Sequence, residues 1–160
     1  MKHLIVVLLG LALMGCSTPG KVASTGNSIR RINPPTLLDA TGYGFSQVVI
    51  PEPGNRLAFI SGQFSGNPRG VVRGKTVEAQ MAFAFKNLEA AIAAAGGTPA
   101  DVVQIRVLIV DHREEYLAPL SKHIIALFGD TLPASTLIPV PRLALDDMLF
   151  EIEAAISIPQ

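Results

Sequence analysis

Short apolar strands before, between and after two helices predict an α+β or α/β layer with both helices on one face of a sheet. Three observations carry that reading: the helical spacing of apolar residues from Val77 to Ile92, the alternation around Gln104 and Arg106, and the element order strands, helix, strand, helix, strand, strand. Taken in order, "FSQVVI" and "RLAFISG" flank the turn-forming "PEPGN" and predict a β-hairpin, with "GVVRG" as a further short strand. Val77, Met81, Phe85, Leu88 and Ile92 then recur at spacings of four, four, three and four, which puts them on one helical face. Thr76 is placed to cap that helix and Gly96 to end it. In "VVQIRVLIV", Gln104 and Arg106 alternate with Val103, Ile105 and Val107, as in a strand with one face buried. A second helix is expected from about Tyr116 to Phe128, buried through Leu120, Ile124 and Leu127, with Pro119 in its first turn and Gly129 as its stop. Two strands follow, around Ser135–Val140 and Leu149–Ile158.

The start of the chain is a separate matter. Lys2 and His3 precede an apolar run from Leu4 to Met14, followed by Gly15 and Cys16. A membrane-crossing helix needs about 20 apolar residues, so the run fits a secretory signal over residues 1–15. The ending "LMGC" resembles the bacterial lipoprotein signal, which implies cleavage before Cys16 and lipid on its sulfur. A plain secretory peptide with a chance cysteine is the alternative. Ser17 in place of aspartate favours, by the same resemblance, the periplasmic side of the outer membrane. Residues 16–35, rich in Ser, Thr, Gly, Asn and Pro, are expected to form a tether, with the folded domain over 36–160. Arg30 and Arg31 fall in that tether, solvated or against lipid head groups. Cys16 is the only cysteine, so no intrachain disulfide can form. Loss of Lys2 with the leader takes the 13 basic residues to 12 against 13 acidic ones, and no basic stripe exists. That balance argues against nucleic acid as a partner.

Several chemistries are excluded by residue type. "GYGFSQ" lacks the third glycine of a dinucleotide fingerprint, and "SGQFSGN" lacks the lysine of a phosphate loop. His112, in the link before the second helix, and His123, expected on that helix's surface, stand eleven residues apart with no cysteine beside them. No metal site or cofactor is expected. The more informative pattern is "FEIEA". Glu151 and Glu153, two apart on a strand, leave the same sheet face roughly 7 Å apart, opposite Phe150, Ile152 and Ala154. Covered by a second subunit, such a carboxylate would be desolvated, its pKa raised, and able to move a proton to or from water. Left uncovered, both glutamates simply solvate an exposed face.

From about Phe45 onward the sequence resembles the YjgF/RidA family, the reactive intermediate deaminases formerly called L-PSP endoribonucleases. "FISGQ", "QMAFAFKNLEAAIAAAGG" followed by "DVVQIRVLIVD", "LPAST" and "EIEAAIS" carry the likeness, in order and at family-like spacing. The resemblance implies an α+β, chorismate-mutase-like fold with two helices on one sheet face, assembled as a homotrimer with clefts between subunits. It also implies hydrolysis of enamines and imines derived from amino acids, with Glu151 positioning water and Phe45, Ser61, Gly62, Ser135 and Leu137 lining the ligand cleft.

The sequence also departs from that pattern. Where the deaminases hold the substrate carboxylate with an arginine, this chain has Ser135, which offers neither the charge nor the two-pronged geometry. Phe45 stands in place of a tyrosine, Leu137 in place of a cysteine, and Arg113 falls near the usual asparagine. Arg142 matches a common family Arg–Leu pair with Leu143 and is not read as a replacement. Ser135 has no histidine or lysine placed to activate it as a nucleophile. The expectation is therefore a RidA-like envelope protein: either a hydrolase of a small imine or related reactive molecule, or a non-catalytic trimer that binds a small ligand or scaffolds partners. Its partners would be its own copies, a small molecule and, through the lipid on Cys16, a membrane.

Overall fold

The computed structural model describes residues 28–160. The expected leader, the lipidation at Cys16 and most of the tether lie outside the described residues. The first elements described are short: β1 (Arg30–Ile32) and β2 (Val48–Ile50) form an antiparallel two-stranded ribbon in which Arg31 faces Val49. The main sheet contains β3 (Arg56–Phe64), β4 (Val102–Val110), β5 (Ala134–Val140) and β6 (Phe150–Ile158) in the order β3-β6-β4-β5. All its pairings are antiparallel except β4 with β5. Parallel neighbours need a crossover, and α2 (Leu117–Phe128) supplies it; α1 (Val77–Ala94) links β3 to β4.

Two expectations are corrected. β2 does not pair with β3 as a hairpin, because its partner is β1 and β3 pairs with β6. The tether also stops short of residue 35, since Arg30–Ile32 is a strand. The Arg31 side chain accounts for the docking of β1. Its guanidinium donates to the carbonyls of Ala100 (2.8 Å), Leu132 (3.2 Å) and Val102 (3.3 Å), pinning β1 beside the starts of β4 and β5. "GVVRG" is no strand either: only Val72 makes a single bridge, to Gly66.

α1 forms as its spacing predicts. Thr76 is extended and its Oγ1 accepts from the Ala79 N–H at 3.2 Å, while Gly96, at φ +80°, turns the chain away after the last turn. All five residues of the predicted face are buried. On α2, Leu120 and Ile124 are buried as expected, but Phe128 takes the third position and Leu127 is only partly covered. Both helices lie on one face of the sheet, over Ile105, Val107 and Ile109 of β4 and Phe150, Ile152, Ala154 and Ile156 of β6. Each of these side chains except Ala154 contributes about 1.5–3 kcal/mol on full burial. The opposite face carries no helix, and there Phe59 is 80% exposed and Leu57 52%. Among the described residues no helix is long and apolar enough to cross a membrane.

Candidate functional site

Glu151 sits on the central strand β6, opposite Phe64 of β3 on one side and Leu108 of β4 on the other. Because Phe150 and Ile152 are fully buried under the helices, alternation turns Glu151 and Glu153 to the helix-free face. On β3 the register slips by one residue between Ile60 and Gln63, a bulge made by Ser61 and Gly62. That bulge brings the Gly62 backbone under the Glu151 carboxyl. A Cβ at position 62 would stand 2.8 Å from Glu151 Cγ and closer still to the carboxyl group. Glycine serves here for space rather than for an unusual φ, since any Cβ would push the flexible end of Glu151 aside.

The two glutamates differ in surroundings. Glu153 is 2.6 Å from Arg106 Nε across the β4–β6 pairing. Among the described residues no cation pairs with Glu151; its partial burial, and next the negative charge of Glu153, push its pKa up. Phe59, Ser61, Gln104, Arg106 and Glu153 line a hollow of about 220 Å³ on this face. Glu153, not Glu151, borders that hollow, and Glu151 lies one pleat further along β6 on the same face, where a carboxyl with a raised pKa can exchange a proton with water.

Phe45, Ser135 and Leu137 lie elsewhere. Ser135 and Leu137 are in register with Ile105 and Val107, so they face the helix layer. With Phe45, Leu38 and Tyr43, and with Leu117, Leu120 and Ile124 of α2, they line a second hollow of about 230 Å³. Phe45 is held there by its neighbours. Gly44, at φ +89°, passes so near α2 that a Cβ would be 3.1 Å from Ile124, and Ser46 bonds to Leu132 O and Pro133 O, each at 2.8 Å. Within one chain, then, Ser61, Gly62 and Glu151 come together, as do Phe45, Ser135 and Leu137. The two groups are on opposite faces of the sheet.

Neither spare arginine reaches them: Arg142 bonds Asp146 at 3.1 Å and Arg113 meets Glu115 at 3.5 Å, all four side chains being largely exposed. His112 lies between β4 and α2 as expected, its Nδ1 buried without a hydrogen-bond partner among the described residues. His123 is no free surface residue. It stacks on Phe85 at 5.3 Å between ring centres, and burial, with Lys122 nearby, lowers its pKa. No cluster of His, Cys, Asp or Glu among the described residues could hold a metal. Sequence reasoning missed Arg106 as the partner of Glu153; its place in the same alternating strand pattern was the available signal.

Residues 37–158 match the family described as Endoribonuclease L-PSP. The chain belongs to that family. A crystal structure from Yersinia pestis, described as a protein of unknown function of the conserved Rid family, shares 35% identity over 82% of this chain and 99% of that one, with a TM-score of 0.78. RidA from an Antarctic Psychrobacter shares 31% identity over 71% of this chain and 88% of its own, with a TM-score of 0.58. No curated protein sequence matches. The sheet with two helices on one face is thus the chorismate-mutase-like fold of the Rid proteins, and the chain is a RidA-like protein.

Proposed function

We propose that this Rid protein hydrolyses a small imine or enamine in a cleft between copies of itself, with Glu151 handling the water. The observation that carries the reading is the Glu151 carboxyl seated over Gly62, without a paired cation among the described residues and raised in pKa by burial. As base, Glu151 takes a proton from water while the water oxygen bonds to the C=N carbon and the π pair moves to nitrogen, which is protonated. The resulting carbinolamine expels ammonia as its hydroxyl proton leaves, and a carbonyl compound remains. Atoms and charge balance with water as the only co-reactant.

Assembly as a homotrimer is part of the proposal. The helix-free face with exposed Phe59 and Leu57 supports it, as does the division of the cleft residues into two groups that one chain does not unite. A second copy can offer its Phe45–Ser135–Leu137 hollow to the Glu151 face of the first. We further propose export, lipid attachment at Cys16 and residence on the periplasmic side of the outer membrane; mass spectrometry of the mature N-terminus would show a lipid-modified cysteine, and an uncut start would refute this. Ser135, standing where the resemblance expects arginine, favours a second reading: a trimer that binds a small ligand or scaffolds envelope partners without turnover.

Freshly generated imines, with and without a carboxylate, decide between the two. Wild type should release ammonia faster than buffer and Glu151→Ala should not. Equal release by all three sinks the hydrolytic reading, and a monomer by light scattering at micromolar concentration sinks the shared cleft.

A further inference from the structure

The hollow between α2 and the Leu38–Phe45 segment has a chemistry of its own. None of its lining residues carries a positive charge, and its rim is apolar, with Leu38 62%, Tyr43 52% and Leu117 38% exposed. The Ser121 hydroxyl donates to Tyr43 O at 2.9 Å and is thereby engaged. Ser135 Oγ, by contrast, makes no side-chain hydrogen bond to any described residue. An ionised carboxylate seated among these side chains would surrender its hydration without a cation in exchange, which is strongly unfavourable.

We infer that this hollow binds a small uncharged molecule with an aromatic or aliphatic body and one polar atom directed at Ser135. An apolar cavity of about 150 Å³ accepts a benzene ring, so one of about 230 Å³ has room for a ring system of indole size. Binding stands on the hollow alone. That the bound group is the side group of the substrate rests on the hydrolytic reading above, and it makes the substrate class an imine without a carboxylate, R₂C=NH plus water giving R₂C=O plus ammonia.

The protein contains no tryptophan, so indole fluorescence excited at the red edge reports the ligand alone. Indole titrated into the purified full chain should give a saturable change, with methyl NMR shifts centred on Leu117, Leu120, Ile124 and Leu137. Indole-3-acetate, the same ring with a carboxylate, should bind at least about tenfold more weakly, and Ser135→Arg should reverse that preference. Ser135→Phe, or Leu137→Phe if the first does not fold, should abolish indole binding by filling the space. Indole binding and imine turnover are both read on the wild type, so the seat and the hydrolysis fail separately: indole bound without imine turnover supports the seat and removes the enzyme. The inference is overturned if indole shows no saturable binding, as when another segment or a second copy fills the hollow. It is also overturned if indole-3-acetate binds as tightly as indole, or if the shifts centre elsewhere.

Discussion

Gly62→Ala separates the position of the Glu151 carboxyl from its presence. The new Cβ would stand 2.8 Å from Glu151 Cγ, with the carboxyl carbon and Oε1 nearer still. Carbon atoms in comfortable contact are about 3.5–4.0 Å apart, so the side chain must retreat by roughly 1 Å or more. It can do so, because Glu151 is only partly buried and its carboxyl is the flexible end of the residue. The effect on folding should therefore stay within about 1 kcal/mol, as for most substitutions without a core cavity. Activity should respond far more. A displacement of about 1 Å in a catalytic group costs on the order of a hundredfold, so kcat/KM for imine hydrolysis should fall about a hundredfold, towards the level of Glu151→Ala. Ammonia release measured beside a thermal melt gives both quantities. If Gly62→Ala retains full kcat/KM at unchanged stability, the seat of Glu151 over the bulge has no part in the chemistry.

Three further outcomes test other links. A base must be ionised to act, so with its pKa raised by burial and by Glu153, Glu151 should give a wild-type kcat/KM that rises with pH at a value above the ordinary glutamate region near about 4.3. In Glu153→Gln the repelling charge is gone and Arg106 is released, so that rise should move to lower pH; no movement would exclude Glu151 as the titrating group. The linkage has the matching sign: ionising a carboxyl whose folded pKa is raised lowers stability as pH climbs through that pKa, and Glu151→Gln should remove this loss. Arg31→Met keeps the apolar stem but deletes three bonds to carbonyls, and should cost about 1–2 kcal/mol by denaturant unfolding. An unchanged midpoint would mean that the β1–β2 ribbon is not anchored through this side chain.

The parts legible in the sequence were those decided locally. α1 is announced by a capping threonine, a four-four-three-four spacing and a glycine, all acting within a few residues of one another. The two faces of β4 and β6 follow from alternation, and so did the exposure of Glu151 and Glu153 opposite the core. What escaped depends on pairings across the chain. "RRI" has no strand pattern, and its strand exists because Arg31 reaches carbonyls 69 to 101 residues away. Phe128 is buried in place of Leu127, a choice between neighbouring positions on α2 that spacing alone leaves open. Glu151 and Gly62 could each be picked out by resemblance, but their contact depends on a bulge that shows only once β3 is laid beside β6. The face taken by Ser135 likewise needed its register with β4.

The strand order has a consequence for how the protein is made. β3 has only β6 as a neighbour in the sheet, and β6 is the last element, Phe150–Ile158. As the chain leaves the ribosome at about 5–20 residues per second, β3, both helices and the β4–β5 pair emerge while the strand that joins them is still unmade. The sheet cannot close until β6 has been made, and the contacts that close it span nearly the whole domain, which slows folding. Until then the core is a string of apolar segments in search of a centre. A chain broken before Phe150 would lack the strand that joins β3 to β4, and so leaves no smaller domain to survive.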